Sequence, residues 1–424
     1  MTETQTLKNG ITVLLSTDDR AETACVLVGV AIGANNEEKN EYGLAHFFEH
    51  MCFKGTKTYP TNQELVTRMD ESGLVANAYT DREYTAYHMS GRAERLQDML
   101  HLTADIFLYS LFPANELDKE KKVIIEEIAM YRDDPPSRAF DEVNQSLFHD
   151  TAAGHPILGT EESVASFSRD NFTHFLQKHY TAKNTIISIA GKFDRDSTLQ
   201  KLEKLYSDTR QGEQSAQATV SPTAPKETHR SIVRNDLEQT HIVIGGYTPS
   251  YNSTDRHTTE VFDVIFGGSM SSRLFLRVRE KLGACYTIKT LIDLMTHTGE
   301  FAIYTGIGGK RTTEVMGAIA DECAIIKKTP VPEAELKKAK EFLLGLNAVQ
   351  QESKSAIASE QMHAYAQSGT PENNEEYKRN ILAVTADDVQ RIANSILDNK
   401  KLTTCYVSNT EIPETITENF YSGF

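Results

Sequence analysis

No stretch of this 424-residue chain approaches the roughly 20 consecutive apolar residues that a membrane-spanning helix needs, which excludes a helical membrane protein. Cysteine is scarce. Cys25, Cys52, Cys285, Cys323 and Cys405 form an odd set without C-x-x-C spacing, which excludes a disulfide framework and a thiolate zinc site and points to a reducing compartment. Positive charge is also short: 44 Lys and Arg face 60 Asp and Glu, a formal net charge of −16. That balance argues against nucleic acid as the main partner and is compatible with basic peptides. The first six residues, Met-Thr-Glu-Thr-Gln-Thr, lack the basic start and apolar core of a signal peptide, and they lack the Arg-rich composition of a transit peptide. Gly306-Ile307-Gly308-Gly309-Lys310 lacks the spacing of a phosphate-binding loop and reads as a strand-to-helix turn. Tryptophan is absent too, but that excludes nothing.

What the chain does have is His46-Phe47-Phe48-Glu49-His50. On an α-helix, residues four apart lie on one face, so both imidazoles can reach a single metal ion. Glu49 sits between them, close enough to hold a water at that ion and take its proton. Zinc suits the arrangement, because three protein ligands plus one open position is its catalytic pattern. The order H-x-x-E-H is the inverse of the commoner H-E-x-x-H. As a bare pattern it also fits solvent-facing histidines on an amphipathic helix. Cys52 reads as a packing residue facing away from both rings.

Downstream, Glu116 to Ile128 shows helical apolar spacing at Leu117, Val123, Ile124 and Ile128, and it ends near Asp133-Asp134-Pro135-Pro136, where paired prolines stop a helix. Glu120 and Glu127 are two turns apart and share a face. One could ligate a metal and the other orient a histidine, although a solvated acidic face fits the same pattern.

His46-Phe-Phe-Glu-His-Met-Cys-Phe-Lys-Gly-Thr56, followed by Val123-Ile-Ile-Glu-Glu-Ile128, resembles the pitrilysin-type zinc peptidases. The resemblance is closest to the short bacterial-type members and to the β subunit of the mitochondrial processing peptidase. It implies His46, His50 and Glu127 as zinc ligands, Glu127 standing 77 residues after His50. Glu120, seven residues earlier, would orient a histidine, and Glu126 would point roughly 100° away from Glu127. Asn77-Ala78-Tyr79-Thr80 resembles the family's substrate-pairing edge strand. Gly159 to Glu162 and His179-Tyr180 fit as well. In the second half, Gly267 to Leu274 and Arg279 to Tyr286 resemble later motifs, the latter carrying an Arg/Tyr pair at Arg279 and Tyr286.

Residues 206–228 are poor in large apolar side chains and rich in Gln, Ser, Thr, Ala and Pro, the composition of a linker. They separate residues 1–205, a catalytic domain, from 229–424, a degenerate repeat. Pro113 to Lys119 is paralleled by Pro332 to Lys338, 219 positions on, and Phe167 to Phe172 by Val384 to Val389, 217 positions on, which marks an internal duplication. Under the first offset Glu127 falls on Leu346 and Glu120 on Ala339, so the second copy has lost its ligands. The expected fold class is α+β: two similar domains, each an antiparallel-rich sheet covered on one face by helices. The resemblance implies that they form half of a clamshell chamber.

The expected function is a zinc metallo-endopeptidase acting on extended peptides. Glu49 is the base, and Asn77 and Ala78 pair with substrate backbone by strand addition. Tyr286 and Arg279 attend the oxyanion and substrate carbonyls. The alternative is a non-catalytic assembly or chaperone-like subunit on the same fold, although members of that kind lack the intact metal set. A homodimer is the expected state, with a heterodimer as the other option. The expected setting is the bacterial cytoplasm, or the mitochondrial matrix for a processed mature chain.

Overall fold

The computed structural model of the chain describes residues 2–217, 219–220 and 223–424. In chain order the first strands are β1 (Glu3–Thr6), β2 (Thr12–Thr17), β3 (Thr23–Val30), β4 (Val75–Thr80), β5 (Thr85–Arg92) and β6 (Thr185–Gly191). They form one sheet in the order β1-β2-β6-β3-β5-β4. β3 shows how it is built. Ala24 through Val30 are buried and alternate between two cores, Ala24, Val26, Val28 and Val30 in one, Cys25 and Leu27 in the other. A continuous apolar run is what a strand covered on both faces requires.

Helices α1 (Leu44–Cys52), α2 (Asn62–Glu71) and α3 (Leu96–Tyr109) contribute to the larger of these cores. The other face is covered by Ala358 and Met362 of the helix Lys354–Ser368. Cover on both faces therefore replaces the expected cover on one, and the second layer comes from a segment far along the chain.

The second sheet holds β7 (His229–Val233), β8 (Gln239–Thr248), β9 (Cys285–Leu294), β10 (Gly299–Gly308) and β11 (Thr403–Ser408), in the order β7-β11-β8-β10-β9. This repeats the order β2-β6-β3-β5-β4. β2 with β6 and β7 with β11 are parallel, and the pairs that follow them are antiparallel.

Two more helices of the first half are α4 (Ala114–Asp133) and α5 (Pro135–Leu147). The paired prolines that end α4 also begin α5. Proline lacks only an N–H that is unpaired at a helix start, and Asp134 caps α5 by accepting from the Ser137 amide at 3.0 Å. Ala139, Val143 and Leu147 of α5 pack with Val243, Cys405 and Val407 of the second sheet.

The chain divides into two compact units. The first comprises Met1–Ala129, Pro156–Ala218 and Ala348–Asn373; the second comprises Met130–His155, Thr219–Asn347 and Asn374–Phe424. Each unit thus takes one helix from the other half of the sequence. The offset of 219 carries Pro135 onto Lys354, so the exchanged helices are counterparts in the duplication. Composition reads a linear division and has no signal for the exchange. Within 206–228, residues 218, 221 and 222 lie outside those described. Nearby, the Ser215 amide donates to Asn184 at 2.8 Å, and Val220 is buried in a core of the second unit.

Candidate metal centre

Helix α1 is buried almost all round. Leu44, Ala45, Phe47, Phe48, Met51 and Cys52 are in the core, with the Phe48 ring packed against Phe112, Phe175 and Tyr180. Cys52 places Sγ 3.4 Å from the Tyr87 hydroxyl. The polar residues His46, Glu49 and His50 fill the remaining face, and the first two are 8% exposed. Entry into the helix depends on two glycines. Gly43 has φ 92°, and a Cβ there would lie 2.5 Å from the Leu158 carbonyl oxygen; Gly159 has φ 74°, and its Cβ would meet the Gly43 Cα at 2.9 Å. No side chain of residue 43 can cap this helix, and Glu37 substitutes for one. Its buried carboxylate accepts from the amides of Gly43 at 2.8 Å and Ala45 at 2.6 Å. Burial pushes that carboxyl up to about 8, against the pull of the amides.

On α4, Leu117, Glu120 and Ile124 form a buried stripe that continues to the half-buried Glu127, while Glu126 is exposed. Glu127 Oε2 lies 3.9 Å from His46 Nε2 and 3.8 Å from His50 Nε2. One donor atom from each of the three lies within 4.8 Å of the other two, the one such metal-capable group found among the described residues. Neutral imidazole nitrogens and a carboxylate at this spacing suit zinc, whose bonds of about 2 Å place neighbouring donors a few ångströms apart.

The surroundings fix protonation as well as position. His50 Nδ1 lies 2.9 Å from Glu120 Oε1, which leaves Nε2 free to face the other two donors. Lys54 Nζ holds the other Glu120 oxygen at 2.7 Å. Burial alone would raise the Glu120 carboxyl, but its bonds to His50 and Lys54 win and keep it below its usual range. For His50, burial lowers the imidazole, and the Glu120 bond with the charges of Glu49, Glu120 and Glu127 brings the net change upward. His46 is driven down to about 3 by burial first and by His50 second, so it stays neutral, as a ligand must. The Glu49 carboxyl is raised by burial, against a hydrogen bond from Thr80.

Asn77 and Ala78 lie on β4, an edge of the first sheet, where the Ala78 amide donates to the Asn77 side chain at 2.9 Å. These residues and the metal-binding set belong to the first unit.

Residues 12–161 match the family described as Insulinase (Peptidase family M16), and residues 166–343 match the Peptidase M16 inactive domain. A protein of Rickettsia felis named an uncharacterized zinc protease is 34% identical over 93% of this chain and 94% of its own length. The chain belongs to peptidase family M16. Membership makes it a peptidase with zinc as its metal. A protein of Bacillus subtilis named an uncharacterized zinc protease, YmxG, is 32% identical over 81% of this M16 chain and 83% of its own length. Among solved structures, a peptidase M16 inactive domain from Pseudomonas fluorescens shares the fold with a TM-score of 0.89, covering 97% of this chain and 98% of its own, at 20% identity.

Among the described residues, the second half of this M16 chain carries no counterpart of the metal set. Its Arg279 lies in a π-helix, Phe275–Lys281, with the guanidinium 4.7 Å from the Phe275 ring centre and 5.2 Å from that of Tyr286. Tyr286, the second residue of β9, is 80% exposed. Nothing in the sequence assigns a role to Lys54 or Glu37, and it shows Thr80 only as part of the substrate-pairing strand, not as a partner of Glu49. Lys54 had a signal, as a cation within the conspicuous motif, but its partner lies on a distant helix.

Proposed function

We propose that this M16 chain is a zinc metallo-endopeptidase that hydrolyses extended peptides and unfolded protein segments. The observation that carries this reading is the convergence of His46, His50 and Glu127, with Glu49 between the two histidines on the same helix. Those three side chains would hold the zinc, which supplies Lewis-acid polarisation of the scissile carbonyl. Glu49 takes a proton from the attacking water and passes it to the leaving amine, so the bond to nitrogen breaks as the new carboxylate forms. Glu120, braced by Lys54, keeps the His50 ring in register.

Strand β4 supports recognition by strand addition. Its outer edge has no strand partner among the described residues, and a substrate backbone can take over the Ala78 amide by displacing the Asn77 side chain. Such pairing reads backbone more than side chains and requires an extended substrate. The family resemblance extends this to a chamber that admits flexible chains, with basic peptides favoured by the net charge of −16. On the same resemblance, Tyr286 would donate to the developing oxyanion, with Arg279 assisting or holding substrate carbonyls. A homodimer in a reducing cytoplasm completes the reading, and the five free cysteines fit such a compartment.

The test is incubation with a mixed peptide library, with and without chelator, with cleavage sites read by mass spectrometry. Metal-dependent endoproteolysis of flexible peptides is expected. Full zinc occupancy with no cleavage of any peptide would overturn the reading.

A further inference from the structure

The Glu49 side chain is almost wholly buried, and its carboxylate needs a fixed direction to work on a water. That direction comes from another part of the chain. Thr80 Oγ1 donates to Glu49 Oε2 at 2.9 Å, so one carboxylate oxygen is tethered and the other is left for a water.

Thr80 is the last residue of β4 and pairs with Thr85 across the ladder. Side chains alternate along a strand, so Thr80 and Ala78 share one face while Tyr79 points to the other. On that other face the Tyr79 hydroxyl lies 2.8 Å from His363 Nε2 and 3.3 Å from Ser359, both on the helix Lys354–Ser368. The strand is therefore pinned from behind while its end reaches forward to Glu49. The same short strand carries Asn77 and Ala78.

We propose that Thr80 is a positioning residue for the Glu49 carboxylate, and that it joins the substrate-pairing edge of β4 to proton transfer. This inference rests on the peptidase reading above. An extended chain added to β4 stiffens the strand that aims the base, so seating a substrate and aligning the carboxylate are one event. Without the hydroxyl, Glu49 has three side-chain torsions to settle and no partner to select among their rotamers.

Thr80→Val keeps the branched shape that suits a strand and removes only the hydrogen bond. The expected result is kcat lowered by roughly 10- to 100-fold, the order that misplacing a reacting group costs, with KM and zinc per chain unchanged. Thr80→Ser, which keeps the hydroxyl, is expected to restore most of kcat. If Thr80→Val fails to fold, Thr80→Ala provides the same loss of hydroxyl. Crystal structures of the metal-free proteins give a readout independent of turnover. Glu49 should hold one rotamer in wild type and Thr80→Ser, and shift or split in Thr80→Val. Wild-type kcat in Thr80→Val, equal impairment in Thr80→Ser, or an unmoved Glu49 would each overturn the assignment. A zinc-loaded wild type that cleaves no peptide sinks the peptidase reading instead, and the Glu49 rotamers still decide the role of Thr80.

Discussion

Glu126 and Glu127 differ by one position and face different surroundings, the first solvent, the second two imidazole nitrogens at 3.9 and 3.8 Å. Glu127→Gln should therefore strip zinc and activity together, while Glu126→Gln keeps about one zinc per chain, read by elemental analysis of the purified proteins. The reverse pattern would shift the ligand by one residue. Glu49→Gln separates chemistry from binding: it should retain zinc and lose turnover by at least ~10²-fold, because a general base is removed and no ligand is touched. His46, Glu49 and His50 were legible because helical spacing is local, and residues four apart meet whatever the rest of the chain does. Lys54 and Thr80 were not legible as partners of Glu120 and Glu49. Those contacts join α1 and the loop after it to α4 and β4, and no periodicity reports which strand end will face a given carboxylate.

At the scale of elements, the sequence alone predicts strands over residues 25–32, 84–89, 185–190, 301–305 and 403–407, close to β3, β5, β6, β10 and β11, because central strands bury both faces. The paired prolines predict a helix stop, yet the fixed backbone of proline serves a helix start equally well and here does both. The π-helix around Arg279 had no visible signal, since its extra residue per turn depends on local packing. The helix Lys354–Ser368 shows how an element's attachment can depend on pH. Its His363 stacks on Tyr84 at 4.2 Å between ring centres and is driven down to about 4 by burial, with Asp81 pulling the other way. In the unfolded chain the same imidazole titrates near ~6.5. Between these values the unfolded state binds the proton and the folded state does not, so stability is full above the upper value and falls as pH drops toward the lower. Urea unfolding in the presence of chelator should show the midpoint dropping from pH 7 to pH 4.5. His363→Gln should flatten that slope by up to one proton, and an unchanged slope would remove His363 from the account.

For the whole molecule, the duplication was legible from two faint matches at nearly one offset, and the repeated sheet order displays it. The exchange of helices was not legible, because compatible apolar faces do not say which sheet each will cover. A homodimer in which Arg279 and Tyr286 complete the neighbour's zinc site makes a further prediction. Inactive Glu49→Gln mixed with inactive Tyr286→Phe, under conditions that permit subunit exchange, should regain activity. Random pairing makes about half the dimers mixed, each with one intact site, for up to roughly a quarter of wild-type activity. Background activity after verified exchange would show that the pair acts within one chain or not at all.

The exchanged helices also set a timetable for biosynthesis. When the first six strands have left the ribosome, Leu14, Cys25, Leu27, Ala86, Ile186 and Ala190 still await Ala358 and Met362, which are made far later. The nascent sheet carries a bare greasy face while residues 192 to 357 are added, an invitation to chaperones and to aggregation. A gene cut between the two halves would yield a first fragment that never receives its missing layer.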